Sequence, residues 1–131
     1  MKKDFPMRIL TIDDDIVNNL IIKENIKLID SSIEVTDTTN LVDGVLFLKK
    51  CKRDSDFPEL IFCDLNLPPY SATDFVRIFN KFFTKYHETT KLFIISAALD
   101  ERIKAEMQGY SFLKGFLNKL DFDEQLDEIL K

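Results

Sequence analysis

The amino-acid sequence predicts an α/β fold, a doubly wound five-stranded parallel sheet with helices on both faces. Short apolar runs alternate with amphipathic helical segments five times along 131 residues, and such alternation is typical of parallel strands joined by right-handed crossovers. The central strand is predicted over residues 59–64, where four apolar residues run straight into Asp64, as expected of a strand buried on both faces. Sheets of this class most often have the strand order 2-1-3-4-5, which opens a crevice between strands one and three.

The first two strand–helix units contain the first cluster of acidic residues. Residues 7–12 are an apolar run that ends at three aspartates, and the third, Asp15, can cap the following helix by accepting from its free N–H groups. Residues 33–38 alternate apolar and polar side chains, which favours a strand near the sheet edge. Helices are predicted over residues 15–29 and 40–52. The spacing in the first helix predicts a core-facing stripe formed by Ile16, Val17, Leu20, Ile21 and Leu28.

The other three units follow a polar loop. The helix after the central strand can be capped by Ser71 or Thr73, and it is expected to reach about Tyr86 with a phenylalanine-rich inner face. The only histidine, His87, comes next in a polar stretch and is expected to be solvated. The remaining predicted elements are strands at 91–95 and 115–118 and helices at 99–108, with Gly109 as its stop, and at 121–131.

Composition excludes several classes of protein. A hydrophobic fraction of 45% with only 3 glycines and 4 prolines indicates one ordered globular domain. The net charge of -5 argues against a nucleic-acid-binding surface. Two cysteines, Cys51 and Cys63, are expected to be buried free thiols in a reducing cytoplasm. The pattern predicts neither a signal peptide nor a membrane span, so a cytoplasmic location is expected.

Polar side chains follow four of the five predicted strands. Asp13 and Asp14 come after strand one, Asp64 ends strand three, Ser96 ends strand four and Lys119 follows strand five. Because parallel strands end at the same edge of a sheet, these groups should converge there. Three neighbouring carboxylates repel one another unless a cation intervenes, and oxygen ligands with room for water suit Mg²⁺. A lysine and a hydroxyl beside them would bind the oxygens of a phosphoryl group, with Asp64 as nucleophile.

These residues form four short motifs that resemble those of the receiver domain of bacterial two-component response regulators. The likeness covers essentially the whole chain and implies the flavodoxin-like receiver fold. It also implies a single receiver domain at residues 1–131 with no output domain. The motifs, in order, are Ile12-Asp13-Asp14-Asp15, Asp64-Leu65-Asn66-Leu67-Pro68, Ser96-Ala97 and Gly115-Phe116-Leu117-Asn118-Lys119.

The resemblance implies a role for each site residue. Asp64 is the implied phosphoacceptor, and the implied Mg²⁺ ligands are Asp13, Asp14, Asp64 and the main-chain carbonyl of Asn66. Ser96 matches the hydroxyl that bonds the phosphoryl group, and Lys119 matches the invariant lysine of the family. Phe116 matches the aromatic switch position, although among twelve phenylalanines it could equally be a core residue.

Two positions depart from the family pattern. The family usually has a proline after the lysine, often with a cis bond, whereas this chain has Leu120. A cis bond before a residue other than proline costs about 2.5–4 kcal/mol, which favours a trans bond here. The loop after the phosphoacceptor usually carries Asp-Gly, whereas this chain has Ser71-Ala72.

The sequence therefore predicts a phosphoacceptor signalling protein, not an enzyme, that catalyses its own phosphorylation and dephosphorylation. A histidine kinase or histidine phosphotransfer protein of a phosphorelay would be the donor. The modified protein would contact a downstream partner through the face formed by the fourth helix and fifth strand. One alternative is a pseudo-receiver that binds proteins without phosphorylation. The other is an aspartyl-nucleophile hydrolase, which is disfavoured because Asn66 stands where its second carboxylate belongs.

Overall fold

The central feature of the fold is a five-stranded parallel sheet, seen in a computed structural model that describes residues 6–98 and 100–130. Numbered along the chain, its strands take the order β2-β1-β3-β4-β5, with β3 in the middle. The predicted order 2-1-3-4-5 is confirmed, and β2 lies at an edge as expected. The strands are β1 (Arg8–Ile12), β2 (Glu34–Thr38), β3 (Leu60–Asp64), β4 (Lys91–Ser96) and β5 (Leu113–Asn118).

Five helices alternate with these strands, as the sequence predicts. Asp15 caps the first helix by accepting from the N–H groups of Val17 and Asn18, and Gly109 follows the fourth with a φ of 99°. No described helix is long and apolar enough to cross a membrane. The helices are α1 (Ile16–Ile29), α2 (Leu41–Lys50), α3 (Ala72–Phe82), α4 (Glu101–Met107) and α5 (Phe122–Leu130). The predicted ends at Leu99 and Lys131 lie outside the described residues.

The third helix ends earlier than the sequence predicts. It stops at Phe82, and a separate 3-10 turn spans Thr84–Tyr86. At Phe83 the backbone leaves the helical region, with φ -125° and ψ 39°, and the ring is buried beside Phe57. Phe57 in turn stacks on Tyr86, with the ring centroids 3.6 Å apart. Aromatic packing at the amino-terminal end of β3 therefore replaces the last predicted helical turn.

The helices cover the two faces of the sheet with separate cores. One core contains side chains of α2, α3 and α4, including Phe75 and Phe79, which are fully buried. The other contains Phe62 of β3 and residues of α1 and α5, such as Ile26 and Leu126. Full burial of one such large apolar side chain contributes about 1.5–3 kcal/mol. The sheet is thus covered on both faces, and only its edges and strand ends remain open for a site.

The orientation of α1 contradicts the prediction of a core-facing stripe. Its buried residues are Asn19, Ile22 and Ile26, whereas Ile16 is 70% exposed and Leu20 is 55% exposed. The other predicted stripe residues, Val17, Ile21 and Leu28, are exposed as well. The hydrogen bonds of Asn19 explain this orientation, because a buried amide must find partners and these lie at the strand ends beneath the helix.

The single histidine is packed, not solvated as the sequence suggested. His87 is half-buried, and its Nε2 lies 3.1 Å from the carbonyl oxygen of Phe79. Its ring lies 4.7 Å from that of Phe112, measured between centroids. The histidine therefore closes one end of the aromatic core. The two cysteines are free as expected, with Cys63 buried and Cys51 partly buried.

Candidate functional site

The carboxyl ends of β1 and β3 bring three carboxylates together. The two strands are neighbours, with Ile12 paired to Cys63, so the residues that follow them lie side by side. One oxygen each from Asp13, Asp14 and Asp64 lies within 4.8 Å of the other two. Asp13 and Asp64 are buried, whereas Asp14 is exposed to solvent. The predicted acidic cluster is therefore present, with one open side.

The chain itself holds the Asp13 carboxylate in place. Its Oδ1 accepts a hydrogen bond of 2.9 Å from the backbone N–H of Asp15. Its Oδ2 accepts one from the side-chain amide of Asn18, and the ammonium of Lys119 lies 3.5 Å from the same atom. Because both oxygens have donors, the carboxylate has a defined orientation before any ligand arrives.

Lys119 joins this cluster from the end of β5. Its Nζ donates a hydrogen bond of 3.2 Å to Oδ2 of Asp64, and it also faces Asp13. Partial burial of the ammonium lowers its pKa, but the charges of Asp13 and Asp64 outweigh that effect, so the pKa of Lys119 is raised overall. The lysine therefore stays charged at neutral pH, directly beside the Asp64 carboxylate.

Burial and a neighbouring negative charge both act on the pKa of Asp64. Burial and the neighbouring charge of Asp13 raise the pKa of Asp64 to about 6 from the usual 3.8. Hydrogen bonds from the Asn66 N–H and from Lys119 oppose this rise without cancelling it. Among the described residues, Lys119 contacts two of the three carboxylates, Asp13 and Asp64, so a small divalent cation would complete the charge balance. All the donors are hard oxygen atoms, and this donor set fits Mg²⁺.

Asn66 belongs to a short antiparallel ribbon that follows Asp64 closely in the chain. In this ribbon Asn66–Leu67 pairs with Tyr70–Ser71. The backbone N–H of Asn66 donates to Oδ1 of Asp64 at 3.3 Å. Asn66 is therefore placed against the acidic cluster. That its carbonyl completes the metal ligands stays a prediction.

Ser96 lies at the same sheet edge but bonds within its own loop. It ends β4, next to the Asp64–Ile95 pair, and is buried. Its hydroxyl donates to the carbonyl of Ala98 at 2.8 Å and accepts from the N–H of Ala98 at 3.2 Å. A hydroxyl that served a phosphoryl group would first have to release the Ala98 carbonyl. The phosphoryl-binding role of Ser96 stays a prediction.

Phe116 occupies the predicted switch position in β5. Its ring is half-buried and packs against the larger core, which includes α4. The ammonium of Lys104, on α4, lies 5.6 Å from the ring centroid, within range of a cation–π interaction. The ring thus links β5 to α4. Whether it changes position during signalling stays a prediction.

The turn after Lys119 has a trans peptide bond. Among the described residues the one cis bond is Pro68–Pro69, so the Lys119–Leu120 bond is trans, as the cost of the cis form suggested. The side chain of Asn118 accepts from the N–H of Leu120 at 2.9 Å and so holds the turn. Leu120 itself is 88% exposed. Lys119 reaches Asp64 without the proline that is usual in the family.

Two asparagines of α1 support the site and were missed by sequence reasoning. Asn18 holds the Asp13 carboxylate, as described above. Asn19 donates to the carbonyls of Asp13 and Thr38 at 2.9 and 3.1 Å, and it accepts from the hydroxyl of Thr11. It therefore ties the ends of β1 and β2 to α1. The signal in the sequence was the pair Asn18-Asn19, which stands between the apolar residues 16–17 and 20–22.

Several solved structures of response regulators are similar to this chain along nearly its whole length. A two-component response regulator from Cytophaga hutchinsonii superposes with a TM-score of 0.81 at 18% identity, over 96% of this chain and 98% of that one. The chemotaxis protein CheY4 of Vibrio cholerae gives 0.77 at 18% identity, over 95% and 96%. A response regulator from Legionella pneumophila gives 0.75 at 21% identity, over 95% and 97%.

These similarities define the class of fold. The chain has the fold of response regulator receiver domains along nearly its whole length, as the motif resemblance implied. No family model matches the sequence, and no curated protein matches it in a sequence search. The likeness therefore rests on the shape of the chain and on the residues gathered at the sheet edge.

Proposed function

We propose that this protein is a response regulator receiver that accepts a phosphoryl group on Asp64. The donor would be a histidine kinase or a histidine phosphotransfer protein, with Mg²⁺ held by Asp13, Asp14 and Asp64. The observation that carries the proposal is the position of Asp64, a buried carboxylate 3.2 Å from the Lys119 ammonium and within 4.8 Å of two further carboxylates. A receiver fold with this constellation has every group that the reaction needs.

The reaction is a transfer between two nucleophiles. A carboxylate oxygen of Asp64 forms a bond to phosphorus while the bond from phosphorus to the donor's imidazole nitrogen breaks, and the bonding electron pair leaves with that imidazole. Asp64 must be ionised to attack, and with a pKa of about 6 it is mostly ionised at neutral pH. Lys119 supplies a positive charge to the phosphoryl oxygens. When bound, Mg²⁺ would add further charge stabilisation at those oxygens.

Ser96 and Phe116 would transmit the phosphorylation of Asp64 to the surface of the protein. A phosphoryl group on Asp64 offers a stronger, charged acceptor than the Ala98 carbonyl to which the Ser96 hydroxyl now donates. Transfer of that hydrogen bond would move the loop after β4. Phe116 packs between β5 and α4, so it would report the loop movement to α4. The phosphorylated protein would thereby shift the population of two surface states.

An exposed apolar surface beside the site supports docking of a protein donor. We call it the donor face; it consists of Ile16, Val17, Leu20 and Ile21 on α1 together with Leu120. All five side chains are at least half exposed. Ile16 follows the acidic motif and Leu120 follows Lys119, so the face borders the site on two sides. A helix of the donor packing here would hold its phosphohistidine near Asp64.

Intact mass spectrometry tests the proposal directly. Acetyl phosphate with Mg²⁺ should add one phosphoryl group to the wild-type protein. None should be added without Mg²⁺ or in Asp64→Ala, whereas Asp121→Ala, an exposed aspartate near the site, should behave as wild type. Addition to Asp64→Ala would contradict the assignment of the phosphoacceptor.

The alternative is a pseudo-receiver that binds partners without phosphorylation. It is favoured by one observation, the engagement of the Ser96 hydroxyl with its own loop. Such a protein would remain unmodified with acetyl phosphate and with phosphorylated donor. NMR titration with Mg²⁺ would then distinguish a site that has lost its metal from one that lacks only its donor.

A further inference from the structure

An apolar groove lies between α2 and α3, away from the donor face. Its volume is about 260 Å³, and it is lined by Leu41, Val42, Val45, Leu46, Tyr70 and Ile78. Val42, Leu46 and Tyr70 are 44–48% exposed along its rim. These apolar side chains lie together and are not scattered singly, which makes the groove a candidate interaction surface. We call this surface the α2/α3 groove.

The face of α4 and β5, which the sequence predicts to bind the downstream partner, lacks exposed large apolar side chains among its described residues. None of the described residues of α4, β5 and α5 is an exposed large apolar side chain. The outer surface of α4 carries mostly charged and small side chains, among them Arg102, Ala105 and Glu106. Apolar anchors buried at the centre of an interface provide most of its binding energy. Exposed apolar side chains lie instead on the donor face, in the α2/α3 groove, near the end of α1 at Leu28 and Ile29, and at Phe82.

The shape of the groove suits a helix. Its volume is below the roughly 300–1,000 Å³ typical of small-molecule sites. The two helices that form it both begin at the carboxyl edge of the sheet and run back along it. Val42 and Leu46 are one turn apart on α2, opposite Ile78 on α3. Anchors spaced by three or four residues on a partner helix would match this spacing.

The end of the groove farther from Tyr70 is basic. Lys49 lies one turn beyond Val45 and Leu46 on α2, and Lys81 lies one turn beyond Ile78 on α3. Both lysines are exposed, and neither makes an ion pair with the residues that the structure describes. The whole chain has a net charge of -5, so this pair of lysines is a local exception. Charge complementarity favours an acidic occupant at this end.

We propose that the α2/α3 groove binds an amphipathic helix of a partner protein. The apolar anchors of that helix enter between Val42, Leu46 and Ile78, and its acidic residues lie beside Lys49 and Lys81. Tyr70 lines the end of the groove opposite the two lysines. The occupant is thus defined by two features, apolar spacing of one helical turn and acidic residues beyond the last anchor.

Tyr70 connects the groove to the candidate phosphorylation site. It pairs with Leu67 in the ribbon whose first residue, Asn66, donates to Asp64. A phosphoryl group on Asp64 would compete for this N–H and shift the ribbon, and Tyr70 with it. Docking in the groove stands without this step, whereas its regulation by phosphorylation rests on the proposed function.

The test uses the full protein and two synthetic helical peptides. Both are alanine-based with leucines at i, i+4 and i+7; one carries two glutamates in the next turn and the other carries two lysines there. Methyl NMR should show shifts at Val42, Leu46 and Ile78 with the glutamate peptide. Leu46→Glu should weaken that binding by about tenfold or more, whereas Leu28→Glu, at a more exposed leucine of α1, should not.

Charge reversal tests the contact of the two lysines with acidic residues separately from the apolar contact. Lys49→Glu with Lys81→Glu should weaken binding of the glutamate peptide about two- to fivefold and strengthen binding of the lysine peptide. No shift in the groove with either peptide, or equal binding by Leu46→Glu, would overturn the proposal. Self-association that is lost in Leu46→Glu would also overturn it, because the groove would then bind a second copy of the chain.

A final arm distinguishes docking from regulation. The same titrations are repeated after treatment with acetyl phosphate and Mg²⁺, with Asp64→Asn as control. Modified protein should bind the glutamate peptide with a changed affinity, whereas the Asp64→Asn protein should not respond. If Asp64 is not modified but the peptide still binds in the groove, the proposed function fails and the docking site stands.

Discussion

The ammonium of Lys119 lies 3.2 Å from Oδ2 of Asp64, although the two residues are 55 positions apart in the chain. Parallel strands create this contact, because β3 and β5 end at the same edge of the sheet on either side of β4. The same edge holds Asp13 at 3.5 Å from the lysine. The chemistry of the site therefore depends on how the strand ends align.

Removal of the Lys119 charge should slow phosphorylation. In Lys119→Met the phosphoryl oxygens lose their only protein cation within the described site, so we expect the rate with acetyl phosphate and Mg²⁺ to fall about a hundredfold. Lys119→Arg keeps the charge and should retain part of the rate. Intact mass measured over time gives both rates. A Lys119→Met rate equal to that of wild type would show that the lysine does not act on the transferring group.

Stability without metal should respond to the ionisation of Asp64. Its folded pKa, about 6, lies above the usual 3.8. The protonated carboxyl is therefore favoured in the folded state, and the contribution is present below about pH 4 and lost as pH rises through 6. We expect Asp64→Asn to raise the free energy of unfolding near pH 7.5 by about 1–2 kcal/mol. This is less than the roughly 3 kcal/mol of two pKa units, because solvent partly screens the group.

Urea unfolding followed by circular dichroism measures this effect. The chain has no tryptophan, so fluorescence offers little signal. The difference between Asp64→Asn and wild type should shrink steadily from about pH 7.5 to pH 4. A difference that does not depend on pH would mean that packing, and not the carboxylate charge, accounts for it.

The buried amide of Asn19 should be important for stability. In Asn19→Leu the carbonyl of Asp13 and the hydroxyl of Thr11 lose the partner described here, whereas the carbonyl of Thr38 keeps the backbone N–H of Asp13. We expect a loss of about 2–4 kcal/mol in the free energy of unfolding, because each unsatisfied buried polar group costs about 1–3 kcal/mol. Asn25→Leu is the matched control, since the one side-chain hydrogen bond that Asn25 makes within the described residues, to Asp123, is exposed. Equal effects of the two variants in urea unfolding would contradict this role of Asn19.

The donor face should affect transfer from a protein but not from a small molecule. Leu20→Ser removes an exposed apolar side chain, so we expect transfer from a phosphorylated histidine phosphotransfer protein to slow about tenfold or more. The rate with acetyl phosphate should be unchanged, because the site residues remain intact. Leu28→Ser, near the far end of α1, serves as control. Slowing of both reactions by Leu20→Ser would point to a disturbed site and not to lost docking.

The strand ends and their chemistry could be predicted from sequence because they are local features. An apolar run followed by Asp13 or by Asp64 marks a strand end wherever it occurs, and a regular alternation of strands and helices leaves few possible sheets. The strand order and the convergence of Lys119 with the two aspartates followed from that pattern. These predictions depended on which residues end a strand and not on the packing of any one side chain.

The tertiary structure decided which way α1 faces and what the Ser96 hydroxyl bonds. Both faces of α1 are apolar, so periodicity alone could not identify the inner one; the hydrogen bonds of Asn19 to two strand ends made the choice. In the same way, Ser96 can bond its own loop or a neighbouring group, and the path of the chain after β4 places the Ala98 carbonyl within reach. The sequence determined the sheet and its acidic edge through local patterns, whereas buried polar partners, known only after folding, determined how helices and loops are set against it.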